Sequence, residues 1–108
     1  MLDKLFGSKT AERVLMYLFI YQEAYPTEIS RMFSLSLNMI QKQLQKFEEG
    51  GILVSRLRGK VRIYQWNPRY PCLSEVKKLL AKNFEYLPEN IKDSFYRQRT
   101  RPRRKGKE

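Results

Sequence analysis

Ten side chains in this sequence have the types and spacing for recognition chemistry. Six lie close together: Ser36, Asn38, Met39, Gln41, Lys42 and Gln45. Asn and Gln each offer a donor beside an acceptor, the pair needed to engage a base edge bidentately, and Lys adds a cation. The other four, Arg56, Arg58, Lys60 and Arg62, crowd around Gly59 with no acid among them. Cations at that density suit a polyanion, gripping phosphates or probing a minor groove. Other chemistry is excluded by composition. The chain has one cysteine, Cys72, and no histidine. It can therefore form no internal disulfide, no Cys/His metal centre and no His-based acid–base site. No nucleophile, base and orienting group converge, so no enzyme and no cofactor are expected.

These side chains need elements to hold them in register. Thr27 to Phe33 is a short helical pattern with Ile29 and Phe33 four apart, Met32 alongside, and Thr27 as its expected cap. Ser34 and Leu35 break it. Ser36 is placed to cap a second helix over 37–49, its oxygen taking an orphan backbone N–H. Leu37, Ile40, Leu44 and Phe47 form the apolar stripe of that helix, leaving Asn38, Gln41, Lys42, Gln45 and Lys46 on the other face. Its acids, Glu48 and Glu49, wait at the far end before Gly50-Gly51. Ile52, Val54, Val61 and Ile63 supply β-branched strand positions on either side of the turn Arg58-Gly59-Lys60. This order, helix, turn, helix and basic hairpin, reads as a winged helix-turn-helix: mainly α with a small β-hairpin wing.

Plainer readings compete. A polar helix face is often only solvated surface, but acid-free Asn and Gln suit base edges better. Lys or Arg on a hairpin often only blocks edge pairing, which explains one or two cations more easily than four. Tyr64 and Trp66 share a strand face and are expected to pack against the helices rather than stack on bases.

The remaining chain supports this unit. Leu2, Leu5 and Phe6 precede Gly7, and Ser8 caps a helix over roughly 9–23. Its run Val14 to Tyr21 is apolar almost all round, which predicts burial on every face, partly by a second subunit in so small a domain. Tyr25 is expected in a very short strand joining the wing sheet. Asn67-Pro68 closes the hairpin. A further helix, from about Leu73 to Tyr86, starts near Cys72 or Ser74. It carries the stripe Leu73, Val76, Leu80, Phe84 and Leu87, with Leu79 beside it, read as core or dimer surface. Residues 89–96 suggest one more short helical piece, with Ile91, Phe95 and Tyr96 as its contacts. The last twelve residues hold Arg97, Arg99, Arg101, Arg103, Arg104, Lys105 and Lys107, a basic tail expected to be disordered. The expected division is therefore 1–88 for the DNA-binding and dimerisation domain and 89–108 for the extension and tail.

The formal net charge is +11, from 22 Lys/Arg against 11 Asp/Glu in 108 residues. That balance points to a polyanionic partner. No apolar run approaches the ~20 residues a membrane span needs, and no signal peptide is read at the N-terminus. A cytoplasmic protein without a membrane partner is expected.

The sequence also resembles a family. Leu5-Phe-Gly-Ser-Lys-Thr10, Thr27-Glu-Ile-Ser30, Leu35-Ser36, the Leu44/Phe47 pair, Glu48-Glu-Gly-Gly-Ile-Leu53 and the Tyr64/Asn67-Pro68 strand end look like ArsR/MarR-like winged helix-turn-helix regulators of bacteria and archaea. The resemblance covers roughly residues 5–82. It implies a homodimer on double-stranded DNA, with the first and last helices at the interface. The clustered Cys and His of the family's metal sensors are missing here, which argues against metal sensing, and no particular small-molecule effector is implied. The acid that often opens the wing in relatives is also missing. The expected reader residues are Ser36, Asn38, Met39, Gln41, Lys42 and Gln45. Arg56, Arg58, Lys60 and Arg62 are the expected grip. An RNA-binding module and a protein–protein adaptor on the same fold are the rivals.

Overall fold

The computed structural model describes residues 2–97; the basic tail from residue 98 onward lies outside them. Ser8 opens the core helix, as its Oγ accepts the Ala11 N–H at 3.1 Å. Before it, α1 (Asp3–Phe6) is a single turn closed by Gly7 at φ +104°, a left-handed conformation that favours glycine. The core helix α2 (Lys9–Tyr21) buries Val14, Leu15, Met16, Tyr17 and Leu18 completely. These side chains are covered within the one chain, so their burial needs no second subunit. The cover comes partly from segments distant in sequence, which the apolar run itself could not reveal. Phe19, Ile20 and Tyr21 are half-buried.

The two-residue strand β1 (Glu23–Ala24) follows. It ends one residue before Tyr25, which instead occupies the cap position of α3 (Pro26–Phe33). Pro26 fits the first helical position because it has no N–H to leave orphaned. That placement overrides Thr27 as the cap. The Glu28 carboxylate reaches back to the Tyr25 N–H at 3.4 Å and accepts from the Tyr17 hydroxyl at 3.5 Å, tying α3 to α2. Ser34 turns the chain, and α4 (Leu37–Glu49) begins at Ser36, whose Oγ accepts the Met39 N–H at 3.1 Å. Ile40, Leu44 and Phe47 are buried as expected. Leu37 is not: it is 38% exposed, at the margin of the stripe where it borders an open groove.

Strands β2 (Leu53–Arg58) and β3 (Val61–Trp66) form the hairpin, with Gly59 at φ +67° in the two-residue loop. Ile52 lies just before β2. The sheet is antiparallel in the order β1-β3-β2, with Ala24 opposite Tyr64 and Leu53 opposite Trp66. Leu53, Tyr64 and Trp66 enter the core. Trp66 Nε1–H donates to the Leu18 carbonyl at 3.0 Å, binding the base of the hairpin to α2. Asn67 closes that base, donating to the Gly51 carbonyl at 2.8 Å and accepting the Arg69 N–H at 3.0 Å.

Helix α5 (Leu73–Tyr86) starts after Cys72, which caps nothing through its side chain. It crosses α2, where Asn83 donates to Glu12 at 2.8 Å. Of its stripe only Leu80 is wholly buried; Leu73, Val76, Leu79, Phe84 and Leu87 are half-covered. The short α6 (Glu89–Ile91) and a π-helical turn (Lys92–Tyr96) then fold back onto the domain. The Tyr21 hydroxyl donates to the Phe95 carbonyl at 2.6 Å, and Phe33 packs on Phe95 with ring centres 4.8 Å apart. Tyr96 is buried, and burial pushes its phenol far above the ordinary value of 10.0. The architecture is a winged helix-turn-helix, with α3 and α4 as the paired helices and β2–β3 as the wing.

Candidate nucleic-acid interface

Helix α4 divides cleanly. Ile40, Leu44 and Phe47 fix one side in the core. Ser36, Asn38, Met39, Gln41, Lys42 and Gln45 all project from the opposite surface and are exposed. Six expected reader positions therefore share one accessible side. The cap at Ser36 sets where the helix starts, and so fixes the directions of the first-turn side chains. No acid stands in that first turn.

Two charged residues of α4 are used internally. Lys46 Nζ donates to the Phe6 carbonyl at 3.2 Å, at the C-terminal end of α1, so this lysine leaves the polar face expected of it. Glu48 turns toward the sheet, where it accepts from Ser55 Oγ at 2.7 Å. Ser55 in turn accepts from Arg62 at 2.9 Å. The result is a chain of contacts, Glu48–Ser55–Arg62, from the end of α4 into the wing. Tyr64 lies beside it. Burial raises its phenol above 10.0, and the Glu48 charge adds to that while Arg62 opposes it.

The four wing cations do not form one grip. Residues directly opposite in an antiparallel pair share a face. Leu57 pairs with Arg62, and Ser55 with Tyr64, on the face toward α4. Arg56 pairs with Ile63, and Arg58 with Val61, in the opposite phase, although Val61, next to the tip, still borders the groove toward α4. Arg56 donates to Gln65 at 2.8 Å. Arg58 reaches the Tyr25 hydroxyl at 3.3 Å and Glu23 at 3.8 Å. Lys60 sits at the tip, exposed, with no side-chain partner among the described residues. Strand alternation carries this split in the sequence, since Arg56 and Arg58 are in phase and the turn reverses the phase for Arg62.

Between α4 and the wing runs a groove of about 390 Å³, lined by Leu37, Gln41 and Gln45 on one side and by Leu57, Lys60, Val61 and Arg62 on the other. Leu57 and Val61 are 63% and 49% exposed. Neither was singled out as a functional position from sequence. A large apolar residue flanked by arginines at a hairpin tip was the available signal. Tyr64 and Trp66, in contrast, are packed inward and offer no stacking surface on the wing.

No protein-family model matches the chain, and the search among curated proteins also finds no match. Solved structures do match. Two of Lactococcus lactis ZitR, a double mutant in apo form and a single mutant, superpose with TM-scores of 0.58 and 0.59 at 16% and 18% identity. They cover 79% and 80% of this chain. A further structure of the double mutant gives a TM-score of 0.56. The chain spans 64% of the first ZitR chain and 58% of the other two. At this identity the likeness fixes the fold alone, that of a winged helix-turn-helix. Among the described residues, no helix is long and apolar enough to cross a membrane.

Proposed function

We propose that this protein binds double-stranded DNA sequence-specifically, as an ArsR-like homodimeric regulator of transcription in the cytoplasm. The observation that carries the reading is the exposed side of α4, where Asn38, Gln41, Lys42 and Gln45 stand free beside a cationic wing. With the N-terminal half of α4 in the major groove, these side chains meet base edges and Glu49 stands clear at the far end. Lys60 then reaches the flanking phosphates directly. Arg56, Arg58 and Arg62 join it only by leaving their present partners. The net charge of +11 favours the same partner. Helix α5 supports dimerisation, since its half-covered Leu73, Val76 and Leu79, with Tyr86 exposed at its end, leave apolar surface for a second copy.

Selection of duplexes from a random pool by the purified protein tests the reading. Enrichment of one motif with two half-sites is expected, and binding without any sequence preference would overturn it. The RNA reading is weakened because Tyr64 and Trp66 are buried rather than presented on the wing.

A further inference from the structure

Leu37 and Met39 are the exposed apolar residues of α4, at 38% and 45%. Exposed apolar side chains are ordinary when scattered. Both sit in the exposed first turn of the helix, on either side of Asn38 and about 200° apart around the axis, and Leu37 lines the groove toward the wing together with Gln41 and Gln45. The Ser36 cap holds that turn in one conformation. We infer that Leu37 and Met39 read the C5-methyl groups of thymine, an assignment that rests on the DNA-binding reading above.

The chemistry of the groove selects this contact. Among the base edges of unmodified DNA in the major groove, the thymine methyl is the apolar group on offer; the rest are donors and acceptors. Leu and Met side chains gain nothing from donors or acceptors, and lose water-exposed apolar area only against another apolar group. An apolar protein surface would provide that area too. It would, however, have to lie against Lys42, Lys60 and Arg62 around the same turn and groove. Charge complementarity favours a polyanion as the occupant. Asn38 fits the same target, because its amide matches the N6 and N7 of adenine. Leu37 and Met39 diverge to either side of Asn38 around the helix, so each would meet a thymine methyl at a base step of its own, next to the one Asn38 reads.

The test replaces thymines of the selected duplex by uracil, one at a time. Uracil keeps every hydrogen-bonding group and removes only the methyl. At one or two positions affinity should fall roughly fourfold, the value of one buried methyl. Leu37→Ala and Met39→Ala proteins, folded as judged by circular dichroism, should bind the thymine and uracil duplexes alike at the position each one reads. Unchanged affinity on every uracil duplex, with sequence preference intact, overturns the inference and leaves the DNA reading standing. Uracil sensitivity that survives in both variants also overturns it, by assigning the methyl contact to other residues. Loss of all sequence preference in the unsubstituted protein removes the DNA reading itself.

Discussion

Helix α4 and the wing face the same groove but hold their side chains differently. On α4, Asn38, Gln41, Lys42 and Gln45 make no side-chain hydrogen bond among the described residues, while the helix beneath them is fixed by a cap and a buried stripe. On the wing, Arg56, Arg58 and Arg62 are each already engaged, with Gln65, with Tyr25 and Glu23, and with Ser55. The helix is therefore a rigid support with unengaged groups. The wing holds three tethered cations, which would exchange one partner for another on binding a polyanion, and Lys60 at its tip, which has no side-chain partner among the described residues. Directional hydrogen bonds to bases profit from the first arrangement, and non-directional phosphate contacts tolerate the second.

The largest expected effect concerns what makes the two regions one unit. Trp66→Ala removes a core ring and the bond to the Leu18 carbonyl together, and should cost about 3–5 kcal/mol of stability in urea unfolding. Trp66→Phe keeps most of the volume and should cost only about 1 kcal/mol. If the wing were an independent appendage, Trp66→Ala would leave stability nearly unchanged and lower DNA affinity alone.

Next come the contrasted contacts themselves. Asn38→Ala or Gln41→Ala should weaken the preferred duplex by roughly 1–3 kcal/mol and blunt discrimination. Lys60→Ala should weaken all duplexes alike and lower the slope of log affinity against log salt by about 0.9. Arg58→Ala should lower it by less, because Arg58 gives up Tyr25 and Glu23 to reach a phosphate. Equal slopes for the two wing variants would remove the distinction between tethered and free cations. Indistinguishable helix and wing variants would remove the comparison altogether.

The smallest effect lies away from the groove, in the C-terminal turn. Hydrogen bonds from Lys92 and then Arg97 hold the Glu89 carboxyl below its ordinary 4.5. A depressed carboxylate contributes stability above its unfolded pKa, which is lost as pH falls through the folded one. Amide exchange in residues 89–96 should therefore accelerate as pH drops below 4.5, after correction for intrinsic rates, and Glu89→Gln should abolish the change. Glu89 and Arg97 are exposed, although Lys92 is buried, so global unfolding should register it only weakly.

Much of this organisation could be read before folding. The limits of α4 follow from Ser36, a stripe at helical spacing and Gly50, and the wing follows from β-branched residues around Gly59. The inward packing of Tyr64 and Trp66 follows from alternation. Other features depend on contacts that one segment does not encode. Leu37 keeps the period of its stripe, yet it lies at the edge of the groove and is 38% exposed. The core that takes in Val14–Leu18 also includes Tyr96, nearly eighty residues away. β1 has only two residues, too short for any pattern to place, and it ends just before Tyr25 rather than including it. The sharing of Ser55 between Glu48 and Arg62 needs two strands and a helix already in place. The cationic stretch of the tail beyond Arg97 lies outside the described residues.

The turn between α3 and α4 has a consequence for motion. Ser34 adopts φ +56° and ψ +43°, a left-handed conformation that costs a non-glycine residue about 1–2 kcal/mol. The Ser30 hydroxyl donates to the Leu35 carbonyl at 2.6 Å, and the Leu35 N–H returns to the Ser30 carbonyl at 3.1 Å. A strained residue clasped from both sides is a poor hinge, since opening it breaks both bonds before the strain is relieved. The two helices must then travel as one rigid body, pivoting on α2, and any effect that alters the aim of α4 must act where the pair meets the core rather than between its members.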